Sequence, residues 1–267
     1  MKTPRVAILS GAGELSSCNL TLAKELNLPL VTNLDAIDKA SKFYLHYDNE
    51  GLSLYNNLEE TKGAVRVNFD STALHRRSKD GLLRQNLIKA MATKQKKQLR
   101  VLDAMSGLGS DAFLLARAGY HVTMLERNEI VFALLQDGLH RGSNGLPDTR
   151  DALTRMMLVK GDFLKKGDEL GTFDVLYLDP MFPVKRGTAR SKKSMHLLQQ
   201  LLGQTDEDLG LLDFALSKAR NRVVVKRAKH SPNCNNRHPQ ISFKGSSSRY
   251  DVSVSYTHLT LPKILLV

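Results

Sequence analysis

Apolar and polar positions alternate in two ways along the second part of the chain. From Leu99 onward, short apolar runs are separated by stretches whose apolar residues recur at helical spacing. The predicted strands are RVLDAM, HVTMLER, MMLVKGD, DVLYLDP and RVVVKR, and the predicted helices between the early strands are SDAFLLARAG and NEIVFALLQDGLHRG. Strands joined by helices need right-handed crossovers, so this pattern predicts an α/β fold with a doubly wound, mostly parallel sheet.

The first part of the chain has a different pattern. Arg5–Leu9 is a predicted strand, and Glu14–Leu26 has helical spacing that Pro29 ends. Residues 43–55 alternate around Asp48-Asn49-Glu50-Gly51, which predicts a hairpin, and residues 64–70 predict another strand. Residues 75–98 predict a basic and mostly helical connector.

The chain is therefore predicted to have four parts. These are a small N-terminal α+β subdomain (1–70), a basic connector (71–98), the doubly wound domain (99–253) and a C-terminal tail (254–267). The tail, VSYTHLTLPKILLV, reads like a translated sequencing adaptor, so we predict that it is not native; a genuine last strand is the alternative.

Composition narrows the class of partner. A net charge of +12 over 267 residues favours a polyanion, although a basic but inert surface is the alternative. Two cysteines form no disulfide framework, and no apolar run approaches the roughly 20 residues that span a bilayer, so we predict a cytoplasmic protein. His230, Cys234 and His238 lack a fourth ligand, and no metal is predicted.

Four acids fall at the ends of predicted strands. They are Asp103, Glu126, Asp162 and Asp179. Ligands of doubly wound sheets bind beyond the carboxyl ends of the strands, so these acids are predicted to converge on the binding edge.

A glycine loop follows the first of these strands. Gly107 and Gly109 would let the backbone approach a ligand, and Ser110 or Asp111 is predicted to cap the next helix. Glu126, about 20 residues beyond the first strand, suits the ribose hydroxyls of a nucleoside cofactor. A dinucleotide is the alternative, but the third glycine is missing.

The acids near this loop bear on the choice of cofactor. Asp103 and Asp111 would repel a pyrophosphate, whereas S-adenosylmethionine carries an ammonium and a sulfonium and is therefore favoured. Asp162 is predicted to meet the adenine edge, with a helix N-cap as its alternative.

The segment YLDPMFP is the candidate reaction centre, and it resembles the Asn/Asp-Pro-Pro-aromatic motif of amino-group methyltransferases. The Asp179 carboxylate and the Pro180 carbonyl could accept both N–H bonds of an exocyclic amine, while Phe182 stacks on its base. The alternative is a rigid turn with Phe182 in the core. We predict Asp179, Pro180 and Phe182 as catalytic residues.

Basic residues flank this motif and are predicted to bind RNA phosphates. They are Lys185, Arg186, Arg190, Lys192 and Lys193 in the following loop, Lys226 and Arg227 after VVV, and His75, Arg76 and Arg77 in the connector.

Several of these motifs together resemble the ribosomal small subunit methyltransferase J family, over about Val67 to Tyr250. They are HRR, LDAMSGLGSDAFLLA, MLERN, LLQDGLHR, YLDPMFP and RVVVKR. The resemblance implies a class I, Rossmann-like methyltransferase that uses S-adenosylmethionine to methylate the N2 amine of a guanine in 16S ribosomal RNA. It also implies cofactor contacts, which would be Ser110, Asp111, Glu126, Arg127, Asp162, Phe163 and Asp179.

Two alternatives remain open at the level of sequence. One is an amino methyltransferase that acts on adenine or on a protein amine. The other is a non-catalytic RNA-binding protein that retains a relic cofactor site.

Overall fold

The computed structural model describes most of the chain and contains two β-sheets. The described residues are 5–10, 14–37, 41–57, 64–79, 81–93, 99–180, 191–203 and 210–255. The predicted tail from residue 256 onward lies outside them.

The first sheet comes from the N-terminal part and has five strands in the order β2-β1-β3-β4-β5. Its elements are β1 (Arg5–Leu9), α1 (Glu14–Glu25), β2 (Leu30–Val31), β3 (Ser41–Asp48), β4 (Gly51–Asn56) and β5 (Ala64–Val65). The predicted hairpin is confirmed, because β3 and β4 pair antiparallel and close where Asp48 faces Gly51. The strand predicted over residues 64–70 is shorter, since only Ala64 and Val65 pair with β4.

The connector forms two short helices rather than one long one. They are α2 (Thr72–Lys79) and α3 (Asn86–Met91). Gly81 lies between them with φ +61°, a left-handed conformation that interrupts a right-handed helix. Residues 94–98, the end of the predicted helix, lie outside the described part.

The second sheet has seven strands in the order β11-β12-β10-β9-β6-β7-β8. Its elements are β6 (Arg100–Asp103), α4 (Ser110–Arg117), β7 (His121–Glu126), α5 (Glu129–Gly142), α6 (Pro147–Leu153), β8 (Met156–Lys160), α7 (Phe163–Lys166), β9 (Phe173–Leu178), α8 (Ser191–Leu202), α9 (Leu211–Lys218), β10 (Ala219–Ala228), β11 (Ile241–Lys244) and β12 (Ser248–Val254). The five strands from β10 to β8 are parallel, and β12 runs antiparallel to both β10 and β11. The predicted doubly wound sheet is confirmed.

Helices cover both faces of this sheet, which explains why its strands read as continuous apolar runs. Val101 points into a cluster with α4 and α5, whereas its neighbour Leu102 points into a second cluster with α7 and α9. The first cluster also contains Phe43 and Leu54 of the N-terminal sheet, so one hydrophobic core joins the two sheets.

A buried acid also connects the N-terminal sheet to helix α5 by a hydrogen bond. Asp137 of α5 accepts the Leu52 backbone N–H of β4 at 3.0 Å and pairs with Arg141 at 2.8 Å.

Among the described helices, none is long and apolar enough to cross a membrane.

Candidate active site

Three acids meet at the carboxyl ends of neighbouring parallel strands. Asp103 is the last residue of β6, Glu126 is the last residue of β7, and Asp179 directly follows β9. The strand β6 lies between β7 and β9, so the chain reverses its winding direction there. Such a switch point opens a crevice at the sheet edge, which is where the sequence predicted the ligand.

Asp103 is a buried acid at this switch point, with 2% of its surface exposed. Its carboxylate accepts the Met105 backbone N–H at 3.4 Å. Burial raises the pKa of Asp103 well above its ordinary value, and the negative charges of Asp111 and Asp179 raise it further. Within the described part of the chain, no cation lies at ion-pair distance from this carboxylate.

The glycine loop after β6 requires glycine at the position before α4. Gly109 has φ +72° and is the N-cap of α4, whose first residue is Ser110. A Cβ on Gly109 would lie 2.9 Å from Leu135 Cδ2, so this position excludes a side chain. The prediction that Ser110 or Asp111 caps α4 is therefore wrong, because the left-handed glycine takes the cap position and no side chain bonds there.

Glu126 organises the same loop from the neighbouring strand. Its two carboxylate oxygens accept the backbone N–H groups of Gly107 at 3.2 Å and Asn128 at 2.7 Å. Burial raises the pKa of Glu126, and these hydrogen bonds offset that effect only in part. Gly107 has φ +53°, and a Cβ there would meet no atom of the described residues within 4 Å, so its side-chain direction is open on their side.

Four residues form a second arrangement that we call the Lys226 cluster: Lys226, Asp111, Asp179 and Tyr177. The Lys226 Nζ lies 2.7 Å from Asp111 Oδ2 and 2.8 Å from Asp179 Oδ2. The buried Tyr177 hydroxyl donates to the same Asp111 oxygen at 2.8 Å. One ammonium thus bridges an acid on α4 and the acid after β9.

The charges of this cluster shift one another's protonation. For Asp111, burial acts to raise the pKa, but the Lys226 ammonium, the Tyr177 hydroxyl and Arg77 together outweigh burial and lower it. Burial raises the pKa of Asp179, and Lys226 offsets only part of that rise. For Lys226, burial opposes the charged form, but the two carboxylates dominate and raise the pKa above its ordinary value.

Sequence reasoning assigned Lys226 to the RNA-binding residues, whereas in the structure its ammonium has two acidic partners; a contact with RNA stays a prediction. Val225 of β10 pairs with Leu178 of β9, so Lys226 is level with Asp179 on the neighbouring strand. Its side chain is 28% exposed and its ammonium is engaged by two carboxylates. Tyr177 was not singled out in the sequence, because only the register shows that it reaches Asp111.

Asp162 acts as a helix cap, which was the alternative interpretation of its sequence position. It follows β8, and one carboxylate oxygen accepts the Leu164 backbone N–H at 3.0 Å at the start of α7. Its other oxygen pairs with Arg127 at 3.1 Å. The Phe163 ring is buried against Phe214 with centroids 5.0 Å apart, which leaves its backbone as the part that could meet a cofactor.

The predicted RNA-binding residues divide into three groups. Arg227 and His75 do not fit the prediction. Arg227 is 2% exposed and donates to the Pro232 carbonyl, and the His75 side chain is 11% exposed with Nε2 3.0 Å from Thr149 Oγ1. Arg76 and Arg77 are exposed, and Arg77 lies 3.4 Å from Asp111. The remaining three residues of the loop, Lys185, Arg186 and Arg190, lie outside the described residues, and the side chains of Lys192 and Lys193 in α8 are not described. Phe182, predicted as a catalytic residue, also lies outside the described residues.

The described residues fit S-adenosylmethionine. Asp103 is a buried carboxylate without an ion-pair partner among them, so a cationic ligand would supply the missing charge. The open side of Gly107 leaves room for a ligand beside the glycine loop. Glu126 fixes this loop by accepting the Gly107 backbone N–H. Asp111, in contrast, already has its charge compensated by Lys226 and Arg77, and its direct contact with the cofactor stays a prediction.

Comparison with known proteins identifies the family of this chain. The family described as "Putative SAM-dependent methyltransferase" matches residues 27–255. The "Ribosomal RNA small subunit methyltransferase J" of Cellvibrio japonicus is 40% identical over 252 residues, which cover 90% of this chain and 93% of that protein. The protein of the same name from Pseudomonas aeruginosa is 36% identical over 255 residues, covering 93% and 94%.

A solved methyltransferase structure has the same fold as this chain. The crystal structure of a SAM-dependent methyltransferase from Neisseria gonorrhoeae superposes with a TM-score of 0.70 at 29% identity, covering 94% of this chain and 96% of that one. The predicted Rossmann-like methyltransferase fold and the S-adenosylmethionine cofactor are thus confirmed. This chain belongs to the SAM-dependent methyltransferase family, and within it to the ribosomal RNA small subunit methyltransferase J proteins.

Proposed function

We propose that this enzyme transfers a methyl group from S-adenosylmethionine to the exocyclic N2 amine of a guanine in 16S ribosomal RNA. The observation that carries the proposal is the position of Asp179, which directly follows β9 beside the buried Asp103 of β6, a carboxylate with no ion-pair partner among the described residues. The names of the relatives support ribosomal RNA of the small subunit as the substrate. We place the reaction in the cytoplasm, where that RNA is assembled.

When bound, S-adenosylmethionine supplies an electrophilic methyl group on its sulfonium. Asp103 would offset the cofactor's positive charge, and Glu126 would position the loop of Gly107 and accept from the ribose hydroxyls. These residues hold and orient the cofactor without taking part in proton transfer.

Asp179 has the central role toward the acceptor amine. The lone pair of an exocyclic amine is delocalised into the base, so the amine is a weak nucleophile. Acceptors on its N–H bonds, which we assign to the Asp179 carboxylate and the Pro180 carbonyl, would concentrate that lone pair on the nitrogen. The proline fixes the backbone φ next to Asp179, so that little reorganisation is needed. We assign the stacking of the base to Phe182.

Labelled methyl transfer to ribosomal RNA tests the proposal. We expect purified protein and methyl-labelled S-adenosylmethionine to label 16S RNA, offered either naked or in the small subunit. Digestion of the product should yield N2-methylguanosine. Label in methyladenosine or in ribosomal protein would replace the proposed substrate, and saturable cofactor binding without any transfer would indicate a relic site.

The role of Glu126 is tested by cofactor affinity. Glu126→Gln leaves one acceptor oxygen for two backbone N–H donors, so one buried donor loses its partner. We expect the calorimetric Kd for S-adenosylmethionine to rise about tenfold. Glu129→Gln is the matched control, because Glu129 is an exposed acid that pairs with Lys160. Equal affinities of the two variants would contradict the role of Glu126.

A further inference from the structure

A cavity of about 400 Å³ lies beyond the end of β10, at the edge where the reaction is proposed. Its wall is formed by the loop that follows β10 and by the hairpin of β11 and β12. None of the residues that line it belongs to the motif YLDPMFP or to the predicted cofactor residues. His230 and His238, considered above as metal ligands, line it.

The loop over residues 228–233 is held by a buried guanidinium. Arg249 of β12 is 6% exposed and donates to the carbonyls of Ala228 at 3.1 Å, Lys229 at 3.0 Å and Ser231 at 2.8 Å. Its Nε bonds Asp251 at 3.0 Å, which supplies the compensating charge. Because its donors are used inside the protein, Arg249 shapes the cavity and is not available as its ligand-binding group.

A second buried guanidinium holds the same loop. Arg227 donates to the Pro232 carbonyl from Nε at 3.0 Å and from its terminal nitrogen at 2.7 Å, and Arg249 donates to that carbonyl as well. Burying guanidinium groups is costly unless they are bonded, so the bonds of this loop to two of them fix its shape. The cavity is therefore a preformed feature.

The ionisable side chains that line the cavity are all basic. Lys229, His230, His238 and Lys244 line it and are exposed. No aspartate or glutamate is among its described lining residues. An anion is the ligand that such a wall favours.

A metal ion is a poor fit to the same wall. Cys234 is buried with 6% of its surface exposed and is not a lining residue. Among the described residues, no group of three or more His, Cys, Asp or Glu side chains could hold a metal ion.

We propose that this cavity binds a phosphodiester group of the RNA substrate, through the ammonium groups of Lys229 and Lys244. This inference rests on the proposed function, because it takes RNA as the substrate. Lys229 directly follows β10, which ends at Ala228, and the three residues from Lys226 to Lys229 span at most about 10 Å. A phosphate near the target nucleotide can therefore reach the cavity. Its contact with the two lysines would provide affinity and register rather than sequence choice.

The test is the salt dependence of RNA binding by a Lys229→Ala/Lys244→Ala variant. Both side chains are exposed, and the backbone groups that bond Arg249 and Asn86 remain. We expect the Kd for 16S RNA to rise about tenfold at 0.1 M salt. The negative slope of log K against log salt should become less steep by about 1.5. Each single variant should show about half of the change in slope.

The matched control is Lys24→Ala/Lys42→Ala, which removes the same charge from exposed positions of α1 and β3 outside the cavity. Calorimetric binding of S-adenosylmethionine verifies that each variant is folded. If the cavity variant matches this control in Kd and slope, while the wild-type enzyme methylates RNA, the cavity proposal is overturned alone. If the wild-type enzyme neither binds nor methylates RNA, the proposed function itself fails.

Discussion

Lys226→Met is expected to lower the free energy of unfolding at pH 7.5 by about 2–4 kcal/mol. The Lys226 ammonium contacts Asp111 at 2.7 Å and Asp179 at 2.8 Å, and Asp103 is a third acid nearby. Without the ammonium, these acids repel one another in a mostly buried place. Partial exposure of Lys226 and Asp179 keeps the loss below that of a fully buried ion pair. Urea denaturation of wild type and variant measures the difference.

The same substitution predicts a pH dependence with a definite sign. Loss of Lys226 removes part of the influence that lowers the pKa of Asp111, and it removes the influence that restrains the pKa of Asp179. Acids whose folded pKa exceeds the unfolded value bind more protons when folded, so stability falls as pH rises through that interval. The deficit of the variant should therefore be largest at neutral pH and should shrink as the pH falls toward 5.

Lys160→Met is the matched control for this prediction. Lys160 also pairs with an acid, Glu129, but the two side chains are 48% and 55% exposed. A surface ion pair of this kind contributes about 0–1 kcal/mol. Equal losses for the two variants, or a Lys226→Met deficit that does not change with pH, would show that the Lys226 cluster has no special energetic weight.

The positions of the site acids could be predicted from the sequence because they depend on local patterns. An apolar run that stops at an acid marks the end of a strand, and parallel strands end at the same edge of a sheet. Asp103, Glu126 and Asp179 therefore lie where the pattern put them. Their partners depend on information that the pattern does not contain.

Lys226 shows what that missing information is. Its neighbour across the sheet is set by the register of β10 against β9, and this register includes an irregularity between Ala219 and Arg222. Nothing in RVVVKR reveals that Lys226 is level with Asp179. Consecutive basic residues in a sequence normally suggest a solvent-exposed patch, whereas here one bridges two acids and the next is buried.

Arg227 illustrates the same limit from the other face of the strand. A buried arginine is tolerated only when its donors are bonded, and its acceptor is the Pro232 carbonyl of the loop that follows. The folding of that loop depends in turn on Arg249, which comes 22 residues later in the sequence. A contact of this kind is fixed by the tertiary structure and has no local signature.

Asp179→Ala is expected to lower the single-turnover rate of methyl transfer by about 100- to 1,000-fold, the range seen when one preorganised polar group of an active site is removed. Asp179 follows β9, and Lys226 holds its Oδ2 at 2.8 Å. The alanine removes an acceptor for the amine and leaves Asp111 as the remaining described partner of Lys226. Rates measured with saturating cofactor and RNA isolate the chemical step, and calorimetry gives the cofactor Kd separately.

The variant Asp179→Asn separates acceptor geometry from charge. Asparagine keeps one carbonyl oxygen at the same place, so we expect it to retain more activity than alanine if hydrogen bonding to the amine is the main contribution. If instead the cofactor Kd rises in both variants while the single-turnover rate is unchanged, Asp179 holds the cofactor and not the amine. A rate that stays undiminished in Asp179→Ala with normal cofactor affinity would remove Asp179 from the reaction, and the acceptor site would then lie elsewhere on the sheet edge.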